Sequence, residues 1–141
     1  SEMCSGIEYA GQMHLWKDAE VHLPVLLRDG SLKWVRWGSR HGVQSPFFQG
    51  PCARLESIKE RKWDRFSPRS VKIPIDRYME RDQKIKPYWV KATPGAVLQG
   101  LLATWGDEQR IYVVTTETPA EFQHVQPRWP RILEIEHAAH D

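Results

Sequence analysis

Apolar positions recur along this chain in short bursts, with helical spacing in only one stretch. In "VHLPVLLRDGSLKWVRWG" two apolar runs flank Asp29-Gly30, a dipeptide that tolerates the positive φ of a tight turn, so a β-hairpin is expected there. "SVKIPI", "KPYWVKA", "AVLQGLLATW" and "RIYVVTT" read as further strands, which dominate the second half. The helical stretch runs from Ala53 to about Phe66, through Leu55, Ile58, Lys62 and Trp63, and Pro68 prevents its continuation. "TPAEFQHV" predicts one helical turn or two, with Thr118 as cap, Pro119 at the first position and Glu121 as capping-box partner. "RHGVQSPFFQGP" reads as a loop, and "RWPRILEIEHAAHD" as a short strand with a polar tail. The pattern predicts an α+β fold, a single domain with a mostly antiparallel, barrel-like β core and a few short helices.

Composition narrows the class. A chain of 141 residues fits one domain that needs no disulfide staples. Ser1 and Glu2 read as the remnant of an expression tag, which leaves residues 3–141 as the domain. Two cysteines, no signal-peptide pattern and no apolar run of membrane-spanning length predict a soluble, cytoplasmic protein with reduced thiols and no membrane partner. A net charge of +2 is too small to demonstrate nucleic-acid binding, so its distribution matters more. In "RLESIKERKWDRFSPR" the cations Arg54, Lys59, Arg61, Lys62, Arg65 and Arg69 outnumber Glu56, Glu60 and Asp64, with Trp63 and Phe66 interleaved. That mixture suits phosphates and base stacking. It equally describes a solvated amphipathic helix with inward aromatics, the commoner arrangement. Most of the seven tryptophans are expected in the core.

Met3-Cys4-Ser5-Gly6, "WG" at Trp37 and Gly38, "CARLES" from Cys52, "IPIDRYMER" from Ile73, "KPYW" from Lys86, "TTE" from Thr115 and "RWPRIL" from Arg128 occur in this order. Their joint order and spacing, over nearly the whole chain, resemble the SRAP family (SOS response-associated peptidase domain) of the DNA damage response. Its members cross-link abasic sites in single-stranded DNA. The resemblance implies that processing behind Met3 leaves Cys4 N-terminal, and that its amine and thiol both attack the ring-opened sugar aldehyde, giving an imine and then a thiazolidine. An α-amine near its ordinary pKa of about 7.7–8.0 has a useful neutral fraction at physiological pH. With residues 1–3 attached, that nitrogen is an amide and the reaction cannot occur. The resemblance further implies that Glu80 is the active-site glutamate that moves a proton during imine formation. It gives Arg54 and Arg128 to DNA phosphates, Thr116 to the DNA cleft, and Trp37 and Gly38 to support of the site, through core packing or base contact. It implies no cofactor, a partner in abasic single-stranded DNA, and action as a monomer.

The chain also departs from the family pattern. Cys52 stands where the family has asparagine, so a thiol replaces an amide at a substrate-binding position. Gln126 stands where the family has histidine, which removes a group that exchanges protons near neutrality, and His124 lies two residues away. Gly6 occupies a position where many relatives carry arginine, and the stretch before "WG" is short. If Cys52 shares a pocket with Cys4, oxidation closes the pair as a disulfide. A metal site from the two thiols and His41 lacks ligand spacing. Two alternatives to cross-linking stay open: a noncatalytic single-strand binder, and a self-processing thiol peptidase using Cys4 and Glu80.

Overall fold

The computed structural model describes residues 4–82, 84 and 86–134; the Ser1–Met3 start and most of the polar tail lie outside them. The strands are β1 (Gly6–Tyr9), β2 (Gln12–Leu15), β3 (His22–Leu26), β4 (Leu32–Arg36), β5 (Cys52–Arg54), β6 (Arg69–Pro74), β7 (Arg77–Arg81), β8 (Pro87–Lys91), β9 (Val97–Trp105), β10 (Glu108–Glu117), β11 (Arg128–Pro130) and β12 (Ile132–Leu133). One α-helix, α1 (Leu55–Lys59), follows β5, and 3-10 turns cover Asp64–Phe66 and Ala120–Phe122. The chain is therefore mostly β, and its helical segments are few and short.

The strands form two open sheets, which corrects the expectation of a barrel. The smaller has the order β2-β1-β7-β8 and the larger β11-β10-β9-β6-β3-β4, with β12 on β9 and β5 on β10. Closure of the larger sheet would need a ladder between β4 and β10, but a single bridge, Trp37 to Ile111, spans that gap. The physical reason is that β4 ends at Arg36 and the chain turns at Gly38, φ +56°, after its one bridge to β10. β9 pairs with the first half of β10 through Val113, and β5 then takes Val113–Thr115 in a parallel ladder. Where β9 and β10 diverge, the last strands wedge between them: the Arg131 amide donates to Val114 and its carbonyl accepts from Gln99, both over normal distances of 2.8 and 2.9 Å. Elsewhere the larger sheet is thinly joined, since β3 meets β6 through one residue pair, Leu26 with Lys72.

The hairpin around Asp29-Gly30 is present as β3–β4, with Gly30 at φ +88° and Asp29 accepting from the Ser31 amide and hydroxyl. The helix expected over 53–66 stops after Lys59, because Arg61 turns left-handed at φ +68°. The chain then folds Trp63 and Phe66 into a buried cluster with Phe47, Leu101, Tyr112 and Val114. Those aromatics point inward, and Arg65 lies over the Phe48 and Phe66 rings. At "TPAEFQHV" Thr118 does not cap; its hydroxyl donates instead to the Gln126 carbonyl at 2.8 Å. The main core lies between the sheets, where Cys4, Ile7 and Tyr78 from the smaller meet Leu23, Val35, Ile73, Leu98, Ile111 and Trp129 from the larger.

Candidate active site

The register of β1 on β7 sets the site. Gly6 lies opposite Met79 and the Ser5 amide donates to the Met79 carbonyl at 2.9 Å, so Cys4, one residue further out, runs beside the Glu80–Arg81 end of β7. Alternation along a strand puts Tyr78 and Glu80 on one face, and both are buried there. The Cys4 thiol donates weakly to the Gly6 carbonyl at 3.7 Å. Burial pushes that thiol well above the usual range, and Glu80 and Cys52, once ionised, push it the same way.

Glu80 has no exposed surface, and neither carboxyl oxygen has a hydrogen-bond partner among the described residues. Burial pushes its carboxyl up to about 10, so it keeps its proton at neutral pH and avoids the cost of an unpaired buried charge. Tyr78 completes the cluster: its hydroxyl accepts from Trp129 Nε1 at 2.8 Å, and burial pushes it up to about 12. The arrangement offers a neutral acid and a protonated thiol, both buried.

The other expected residues occupy the adjoining β5–β10–β11 edge. Arg128, on β11, forms a two-pronged bond to Glu56 of α1 at 3.0 and 2.7 Å and donates to the Thr115 carbonyl at 3.0 Å. This bond holds the Glu56 carboxyl down to about 2. The same bond raises Arg128, and the charge of nearby Cys52 adds to the rise. Arg54 is exposed and sits opposite Thr115 in the parallel ladder, while Thr116 is half-buried opposite Trp129. Gln126 is buried, and its Nε2 donates to the Arg81 carbonyl, which ties the segment before β11 to the residue after Glu80.

Trp37 and Gly38 sit beside Ile111, nearer the start of β10, and Trp37 shares the buried cluster that holds Cys4 and abuts Cys52. The Trp37 ring is buried, packs edge-on against Trp16 and donates to the Pro51 carbonyl at 2.9 Å. Gly38 adopts φ +56° against the Gly50 carbonyl. The structure thus brings Cys4, Glu80 and Cys52 together, with Arg128 at their rim and Arg54, Thr116 and Gln126 around it. Tyr78 and Glu56 escaped the sequence reading. Tyr78 was findable two residues before Glu80 by strand alternation, whereas the Glu56–Arg128 pair spans distant segments and leaves no local signal. Among the described residues no three His, Cys, Asp or Glu side chains form a metal-holding group, and no helix there is long and apolar enough to cross a membrane. Compared with models of protein families and with curated proteins, the chain matches none.

Proposed function

We propose that the protein captures abasic sites in single-stranded DNA through a covalent link to Cys4, once Cys4 carries a free α-amine. The observation that carries this reading is the buried, unpartnered Glu80 carboxyl beside Cys4. The amine adds to the sugar aldehyde, the carbinolamine loses water to give an imine, and the thiol adds across the C=N bond to close a thiazolidine, so one water leaves overall. Loss of that water needs an acid. A carboxyl that keeps its proton at pH 7 supplies it and afterwards takes the proton released by the amine. Arg54 and Arg128 supply cationic donors for strand phosphates at the neighbouring edge. With Gln126 in place of an exchangeable imidazole, release of the adduct is expected to be slow.

The test is intact mass after incubation with an abasic oligonucleotide, using protein whose first residue is Cys4. The expected result is an adduct at the summed mass less one water, absent in Cys4→Ala and slowed in Glu80→Gln. An unmodified mass from protein with a verified N-terminal cysteine would overturn it. The burial of Cys4 favours a second reading, a single-strand binder without covalent chemistry. Salt-dependent binding with no adduct selects that reading.

A further inference from the structure

A pocket of about 130 Å³ opens where the segment after β4 meets the start of β10, and Arg36, Arg40 and Arg110 line it with Glu108, Ser39 and Gln44 among their neighbours. On β10, Tyr112 and Val114 face the aromatic cluster while Ile111 and Val113 face the main core. By the same alternation Arg110, packed on Phe47, lies on the opposite face from Thr115. Five residues of strand, about 17 Å, also separate them. The pocket is therefore distinct from the Cys4 cluster.

Its charge is concentrated and poorly offset. Three guanidiniums face one carboxylate, an excess equal to the +2 of the whole chain. Among the described residues no carboxylate lies within ion-pair distance of Arg36 or Arg40, and Arg110 reaches the exposed Glu108 only at 3.8 Å. Arg40 is lowered chiefly by burial and next by the charge of Arg36, so the two cations are near enough to repel, and the Asp18 carboxylate offsets part of this from beyond ion-pair distance.

Two of the forks are nevertheless held in place. Arg40 stacks over Trp16 at 3.7 Å and donates to the Asp18 carbonyl at 2.6 Å. Arg110 lies over Phe47 at 4.7 Å and donates to the Gln109 carbonyl at 3.0 Å. Each bond uses part of a guanidinium that carries five N–H donors, so donors remain for a ligand. Aromatic packing has already restricted the side-chain freedom that binding would otherwise remove. Cations lining one pocket, of which Arg40 and Arg110 are held and Arg36 repels Arg40, are relieved by an anion bearing several acceptor oxygens. A carboxylate satisfies one fork, whereas a phosphate offers oxygens to several. The volume is below the roughly 300–1,000 Å³ of clefts that enclose whole small molecules, so it suits a charged group carried on a larger chain.

We propose that Arg36, Arg40 and Arg110 form a phosphate-binding site, separate from the Cys4 cluster, that takes a phosphodiester of a nucleic-acid strand. A small phosphorylated molecule would present the same chemistry, and the experiment separates the two sources. The site does not depend on Cys4 reacting, so its test uses an undamaged oligothymidylate and inorganic phosphate, neither of which offers an aldehyde.

Oligonucleotide binding is followed by fluorescence anisotropy over a salt series, and inorganic phosphate is titrated at constant ionic strength while amide resonances of residues 38–45 are recorded. Arg36→Gln with Arg110→Gln is expected to weaken oligonucleotide binding about ten-fold, to lower the salt slope by about 0.7 for each phosphate no longer neutralised, and to abolish the phosphate-induced shifts. Glu108→Gln moves binding the opposite way, to tighter, which separates a charge effect from a folding defect. Phosphate shifts at 38–45 that vanish in the double variant, with unchanged oligonucleotide affinity, keep the anion site and assign it to a small phosphorylated ligand. Absence of those shifts, with affinity and salt slope unchanged in both variants, overturns the proposal. Adduct formation at Cys4 is measured separately, so either conclusion can fail alone.

Discussion

Glu80 makes the stability of this protein depend on pH in the direction opposite to that of a salt-bridged carboxylate. In the folded chain its carboxyl is pushed up to about 10 by burial, against about 4.3 when unfolded. Between those values the folded state holds one proton more than the unfolded state. Its contribution is therefore fully present below about pH 4 and is lost as pH rises toward 10, by at most about 1.4 kcal/mol per pH unit. Glu80→Gln keeps the shape and removes the titration. Urea denaturation from about pH 5 to about pH 9 should show the parent losing stability relative to the variant; parallel curves would remove the assignment of a protonated Glu80. Cys4 gives a second prediction at this scale. Its thiol is fully buried and raised well above the usual range, so in a Cys52→Ser background an aromatic disulfide reagent should react at least about a hundred-fold more slowly than in urea. Rapid reaction in native buffer would show that the thiol is accessible as the chain stands.

Two elements carry the geometry of the candidate sites, the turn after β4 and the link from α1 to β11. At Gly38 an added Cβ would lie 2.2 Å from the Gly50 carbonyl oxygen, with φ at +56°, whereas at Gly42, with φ +78°, it meets nothing within 4 Å. Gly38→Ala is expected to cost clearly more than the roughly 1 kcal/mol of left-handed strain alone at Gly42→Ala. Equal losses in thermal denaturation would mean that the turn relaxes around the new methyl. At the second element, Glu56 occupies the Arg128 fork. Under the proposed function Glu56→Gln should therefore tighten binding of undamaged single-stranded DNA by about three-fold, most visibly at low salt, and unchanged or weaker anisotropy-derived affinity would argue that Arg128 does not meet the strand. The elements differ in how far the sequence revealed them. The strands at "SVKIPI", "KPYWVKA", "AVLQGLLATW" and "RIYVVTT" and the Asp29-Gly30 hairpin were legible because apolar runs and turn residues are local signals, whereas β7, with Arg77, Glu80 and Arg81 in its five residues, carries no such run. The early end of α1 was not legible, since inward packing of Trp63 and Phe66 overrides helical spacing. Nor was the parallel pairing of β5 on β10 in the larger sheet, because it joins segments about sixty residues apart in sequence. Cys4 and Glu80 emerged from motif order, while Arg36, Arg40 and Arg110 meet only through the fold.

At the scale of the whole molecule, both sheets depend on one core. Ile7 and Tyr78 of the smaller sheet and Leu98, Ile111 and Trp129 of the larger belong to a single buried cluster, and the Trp129–Tyr78 hydrogen bond crosses between the sheets. Cys4 and Glu80 come from the smaller sheet and its approach, while Cys52 and Arg128 come from the larger, so the candidate active site exists only while the sheets stay docked. A shared core of this kind predicts one cooperative transition. Ile7→Val, a fully buried change in β1, is expected to cost about 0.5–1.5 kcal/mol. If the sheets unfold together, the loss should appear at amides it does not touch: those of β9 and β10 that exchange only through global opening should exchange faster by the same free energy. Hydrogen exchange followed by mass spectrometry can compare β1 and β7 with β9 and β10 in the two proteins. An increase confined to β1, β2, β7 and β8 would make the smaller sheet a separately opening unit. The site would then be assembled by docking, and exposure of Cys4 would follow the opening of one sheet while the larger sheet, with its arginine pocket, stayed folded.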